Sequence, residues 1–130
     1  MKLEQHRPQY YYETGWPNNI VNRFCISLGL YRKNYKYVKI GITTNPERRF
    51  CEHKRSSIYK WERMVVVYRT TSKLNANYME KWFINNKNNK LVNIFVGDSQ
   101  MCDSQFYYAY FLLGNHKYNT GKNKYMTNYC

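Results

Sequence analysis

Apolar residues alternate along some stretches of this chain and recur at helical spacing along others, and the switches between the two periods mark the elements it should form. From Phe24 to Tyr31 the sequence FCISLGLY alternates, with Phe24, Ile26, Leu28 and Leu30 on one face and Cys25, Ser27, Gly29 and Tyr31 on the other. A polar RKNYK follows, and then YVKIGIT alternates again, with Val38, Ile40 and Ile42 sharing a face. Two such runs around a polar turn predict a β-hairpin. Burying both apolar sets on one side of a sheet sets Lys39 opposite Tyr31 or Gly29 and not Leu30, so Tyr31 and Lys39 become neighbours on the wetter face.

After this the period changes. Asn45 or Thr44 can cap a helix with Pro46 at its first position and Glu47 in its first turn, running to about Arg55. On it, Arg49 and His53 stand one turn apart and project together. RMVVVYRT, residues 63–70, reads as a third and deeply buried strand. Ser72 can cap a second helix over about 73–86, with Leu74, Tyr78 and Trp82 in its apolar stripe, Met79 and Phe83 as further candidates for it, and Glu80 off the stripe's centre. Beyond INNKNNK, LVNIFVG reads as an extended segment that returns Asn93 to the body. QFYYAYFLLG predicts a third helix over about 104–113, ended by Gly114. The expected fold is α+β: a small three-stranded antiparallel sheet flanked by helices. Residues 1–22, with Pro8, Gly15 and Pro17, read as an irregular arm, residues 23–100 as the domain proper, and residues 101–130 as a C-terminal helix with a loose, basic, Asn-rich tail.

Charge adds a partner to this outline. The 130 residues carry a formal net charge of +13, and 43% hydrophobic content suffices for one small core. Over residues 32–63 there are ten lysines and arginines against three glutamates, so more than half of the excess surrounds the segment from Lys39 to His53. Fifteen tyrosines are interleaved with that charge. Aromatic faces stack bases while cations meet phosphate, so the expected partner is nucleic acid, DNA first with RNA left open. Arg32, Lys33, Lys36, Arg48, Lys54 and Arg55 are the expected phosphate contacts. No apolar run approaches the roughly 20 residues that span a bilayer, and the first residues lack the apolar stretch of a signal peptide, which predicts a soluble, intracellular protein without a membrane partner. The four cysteines show no Cys-x-x-Cys pair and no histidine at zinc-ligand spacing, and free thiols are expected.

The hairpin and first helix together gather a phenol (Tyr31, with Tyr37 as another candidate), an amine (Lys39), a guanidinium (Arg49) and an imidazole (His53), with the carboxylate of Glu80 on the next helix. Phosphodiester hydrolysis needs a group to take a proton from water, cations to meet the phosphate oxygens, and commonly a divalent metal held by a carboxylate. This set can supply each role.

In this order and spacing the residues resemble the GIY-YIG nuclease family. Gly29-Leu30-Tyr31 looks like its first motif, and Lys39-Ile40-Gly41 like its second, in the branch where Lys replaces the leading Tyr. The segment T-x-x-P-E-x-R-x-x-x-H, ending in Arg49 and His53, is similar to the family's first helix. Glu80 in YMEKWFI resembles the metal-binding glutamate and Asn93 the asparagine that closes the site. The eight-residue step from Tyr31 to Lys39 is shorter than the family's usual one, which leaves Gly29 or Ser27 as alternative occupants of the first tyrosine slot.

The resemblance implies a DNA endonuclease that uses one Mg²⁺ or Mn²⁺. Tyr31 assisted by Lys39 would activate water, Arg49 would hold the scissile phosphate, His53 would hydrogen-bond the water or the Tyr, Glu80 would bind the metal, and Asn93 would be structural. One site per chain implies a homodimer or sequential nicking for a duplex to be cut on both strands. The alternative is a nucleic-acid-binding module of the same fold with weak or absent catalysis.

Overall fold

The computed structural model describes residues 7–93 and 102–118; the expectations for 94–97, the end of the extended segment, and for 119–130 of the tail lie outside them. In chain order the elements are β1 (Gln9–Glu13), α1 (Pro17–Asn34), β2 (Tyr37–Thr43), α2 (Pro46–Ser56), β3 (Tyr59–Lys60), β4 (Arg63–Thr70), α3 (Lys73–Asn86), a 3₁₀ turn at Asn88–Lys90, β5 (Tyr107–Gly114) and β6 (His116–Lys117). The fold is α+β. Its main sheet has four strands in the order β1-β4-β5-β2, with β1 parallel to β4 and the other pairs antiparallel. A mixed sheet thus stands where three antiparallel strands were expected, and β3 and β6 pair separately.

The expected hairpin does not form, because residues 24–31 lie inside α1. The same stretch carries a second period: Pro17, Ile20, Val21, Phe24 and Leu28 are the buried residues of the helix, spaced by three and four. Ile26 and Leu30, which alternation would bury, are 67% and 54% exposed. The helix starts at Pro17, whose fixed φ suits a first helical position, so the expected irregular arm in fact contains β1 and the first turns of α1.

The strand beside β2 is β5, from the segment expected to be a helix. Between Tyr107 and Gly114 every residue but Tyr108 is buried, as befits a strand covered on both faces. Such a strand reads as a continuous apolar run with no period of its own. Its register sets Lys39 against Leu112 and Gly41 against Tyr110, so Lys39 faces neither Tyr31 nor Gly29.

The other elements form where the pattern put them. Asn45 caps α2, its side chain accepting from the Arg48 N–H at 3.1 Å, and Ser72 caps α3 by accepting from the Asn75 N–H at 3.2 Å. In α3 the buried residues are Ala76, Met79, Phe83 and Ile84, while Leu74 and Tyr78 are exposed. The sheet divides the core in two. On one side α1 and α3 pack with Val38, Ile40, Ile42, Val65, Val67, Tyr68 and Phe111. On the other side Phe50 of α2 packs with Met64, Val66, Tyr110 and Leu112. No helix among the described residues is long and apolar enough to cross a membrane.

Candidate active site

Alternation along β2 sends Val38, Ile40 and Ile42 into the α1/α3 core and leaves Lys39 and Gly41 on the α2 side. There, α2 delivers Arg49 and His53 from adjacent turns, and β5 delivers Tyr110 directly opposite Gly41. The His53 Nε2 and the Tyr110 hydroxyl are 2.8 Å apart, with His53 5% and Tyr110 1% exposed. The Arg49 guanidinium donates to the Tyr110 oxygen and also to Glu52 Oε1 at 2.9 Å. With His53 neutral and Arg49 beside the phenol oxygen, a Tyr110 O–H donating to His53 Nε2 is the arrangement that suits both groups.

Gly41 is what lets the phenol reach this place. A Cβ built on residue 41 would lie 2.3 Å from the Tyr110 hydroxyl oxygen. Between Lys39 and Gly41, both backbone groups of Ile40 bond to the side-chain amide of Asn93: the Ile40 N–H donates to Oδ1 at 3.0 Å, and Nδ2 donates to the Ile40 carbonyl at 2.9 Å. The Val92 N–H also donates to the Val38 carbonyl at 2.9 Å. Residues 92 and 93 therefore act as a short extra edge that fixes β2 where it carries the site.

Electrostatic coupling joins Glu80 to the group. Burial raises the Glu80 carboxyl above its ordinary range, opposed by Lys39 and then Arg49. Burial also lowers the Lys39 ammonium, Arg49 lowers it further, and Glu80 works against both. His53 is pushed down to about 3, first by burial and then by Arg49 and Lys39. Tyr110 is raised far above its ordinary value by burial, against the pull of Arg49. The site thus sets a neutral imidazole and a protonated phenol among the basic groups of Lys39 and Arg49 and the carboxyls of Glu80 and Glu52.

The structure therefore brings Lys39, Arg49 and His53 together, couples Glu80 of α3 electrostatically to Lys39 and Arg49, sets Asn93 behind β2, and leaves out Tyr31. That residue sits on α1, across the sheet, with its ring 5.8 Å from Phe111 and its neighbours Arg63, Tyr11 and Tyr35. Gly29 and Ser27, the alternative occupants of the tyrosine slot, lie on the same helix. Sequence reasoning missed Tyr110, taking its surroundings as helix packing. The signal available was its place in YYAYFLLG, whose run without period also fits a central strand.

Of the expected phosphate contacts, Lys33, Lys36, Arg48 and Arg55 are exposed. Arg32 is exposed but donates to the carbonyls of Tyr35 and Lys36 at the end of α1. Lys54 is buried, its ammonium 4.3 Å from the centre of the Phe50 ring, and it does not present a free cation to solvent. Cys25 and Cys102 are free thiols as expected, whereas Cys51 is disulfide-bonded.

Comparison of the chain with protein families, with curated proteins and with solved structures finds no match.

The buried imidazole makes a prediction about stability. His53 has a folded value near 3, below the ordinary 6.5, so below pH 6.5 the unfolded chain takes up a proton that the folded chain refuses. Stability contributed by neutral His53 is complete above about pH 6.5 and is lost as pH falls toward 3. Denaturant unfolding from pH 7 to pH 4 should show a loss of a few kcal/mol, much of it absent in His53→Gln. An equal loss in the variant would contradict the assignment.

Proposed function

We propose that this protein is a divalent-metal-dependent endonuclease that hydrolyses DNA phosphodiester bonds in the manner of the GIY-YIG nucleases, with its catalytic phenol supplied by Tyr110. The observation that carries the reading is the hydrogen-bonded set of Tyr110, His53 and Arg49 beside Lys39 and Glu80. β5 is antiparallel to β2 and adjacent to it, the position the resemblance gives to the strand with the first tyrosine. The C-terminal part of the chain thereby takes over a role expected of residues 29–31.

In this reading Arg49 and Lys39 hold the scissile phosphate. Among the described residues there is no group of three or more potential ligands from His, Cys, Asp and Glu, and Glu80 is the carboxylate coupled to the two cations. One carboxylate suits Mg²⁺ or Mn²⁺, ions that keep several waters and complete their shells with substrate phosphate. When bound, the ion would supply Lewis-acid stabilisation of the departing 3′ oxygen. The attacking water gives its proton to the Tyr110 oxygen as the phenol proton passes to His53 Nε2. His53 is held low by burial first and then by Arg49 and Lys39, and an anionic phosphate favours this transfer by offsetting the two cations.

The alternative, a binding module of the same fold, draws on the raised phenol and on the small number of potential metal ligands among the described residues. Supercoiled plasmid separates the two readings. The nuclease reading expects open circles in Mg²⁺ or Mn²⁺ and none in EDTA, whereas DNA retained with a steep salt dependence and never nicked would leave the binding module.

A further inference from the structure

Beyond Tyr110 the same face of the sheet continues as a row of aromatic rings. Tyr108 is two residues along β5, about 7 Å away by strand geometry. Its ring centre is 6.3 Å from Tyr12 and 6.4 Å from Tyr10, both on β1, and the Tyr10 hydroxyl donates to Glu47 of α2 at 2.8 Å. The Arg69 guanidinium then lies over two rings, 4.7 Å from Tyr12 and 4.2 Å from Phe106. None of the described carboxylates forms an ion pair with it.

Arg69 and Phe106 form one wall of a cleft of about 450 Å³, which Trp16, Thr14 and Thr71 also line. That volume is within the range of small-ligand sites. No Asp or Glu lines the cleft, and Trp16 is 67% exposed. A guanidinium close to two aromatic rings, an exposed indole and flanking hydroxyls match a nucleotide: a planar base, an anionic phosphate, and polar edges.

We infer, resting on the nuclease reading above, that the Tyr108–Tyr12–Arg69 row and its cleft bind an unpaired strand, so that the preferred substrate is DNA with a single-stranded segment beside the scissile bond. A base inside a duplex is already stacked on both faces and offers these rings nothing. An extruded or overhanging base does, and the row leads it from the candidate site to the cleft over several nucleotides.

Binding in EDTA tests this without any cleavage. The probes are a duplex and the same duplex with a short single-stranded extension containing 2-aminopurine, whose fluorescence falls on stacking. The extended DNA should bind about tenfold more tightly with its fluorescence quenched. Tyr12→Leu and Arg69→Gln should each remove most of both effects while duplex affinity stays within about twofold for Tyr12→Leu. Equal affinity for the two DNAs, or a preference that survives both substitutions, would overturn the inference. So would a Tyr12→Leu variant that changes only the sedimenting mass, since the face would then join copies of the chain. Plasmid nicking without the preference would sink this inference alone, and the preference without nicking would sink the nuclease reading alone.

Discussion

Glu80→Gln should lower metal-dependent plasmid nicking by about 10³-fold or more while leaving DNA affinity in EDTA within about threefold. The size follows from the several kcal/mol that a correctly held metal gives to a hydrolytic transition state. Glu80 is the acidic group coupled to both Lys39 and Arg49, whose positive charge opposes the upward push that burial gives its carboxyl. Glutamine matches its shape and cannot replace its charge, so circular dichroism and the unfolding midpoint should change little. Removing a half-buried carboxyl coupled to Lys39 and Arg49 has a second consequence. Lys39, which Glu80 supports in its charged form, should titrate at still lower pH. Initial rates of nicking at several Mg²⁺ concentrations check the first point. A variant that nicks at the wild-type rate would remove the carboxylate from the chemistry.

Gly41→Ala should be nearly as damaging, for a reason of packing. The added Cβ would fall 2.3 Å from the Tyr110 hydroxyl oxygen and 2.4 Å from its ring carbon Cζ. The ring is fully enclosed, so the strand or the ring must shift. Overpacking of this kind costs about 1–3 kcal/mol, a drop of roughly 5–15 °C in Tm for a domain of this size. It also moves the phenol away from His53, which should cut nicking by about 10²-fold. Gly29→Ala is the contrast: nothing lies within 4 Å of a Cβ there, and residue 29 is in the middle of α1. Alanine in a helix is favoured over glycine by roughly 0.5–1 kcal/mol, so this variant should melt slightly higher with unchanged activity. Thermal unfolding of the pair decides between the two glycines. Loss of stability in Gly29→Ala, or none in Gly41→Ala, would contradict the placement of α1 and β5.

These contrasts mark how much could be read from the sequence. The segment from Tyr37 to Arg55 was legible because each cue was local: alternation in YVKIGIT, a capping Asn45, Pro46 at a first helical position, and Arg49 and His53 four residues apart. RMVVVYRT and the Ser72-capped helix were legible for the same reason. Residues 24–31 were not, since Phe24 and Leu28 satisfy both a period of two and a period near four. Only the positions before Arg23, read as an arm, break the tie: Pro17, Ile20 and Val21 extend the helical series. β5 was illegible because a strand buried on both faces has no polar alternation, and its pairing with β2 joins residues some 70 positions apart. The site followed suit. Lys39, Arg49, His53, Glu80 and Asn93 belong to segments read locally, and Tyr110 belongs to the one whose pairing is long-range.

The proposed nuclease site depends on Tyr110 of β5 and not on Tyr31 of α1. This dependence is tested most directly by initial rates of Mg²⁺-dependent nicking for Tyr110→Phe and Tyr31→Phe beside the wild type. Both substitutions keep the ring and remove only the hydroxyl, so packing on either side of the sheet is preserved. Tyr110→Phe should lose about 10²–10³-fold and Tyr31→Phe less than about twofold. Nicking that survives in Tyr110→Phe and fails in Tyr31→Phe would contradict this dependence.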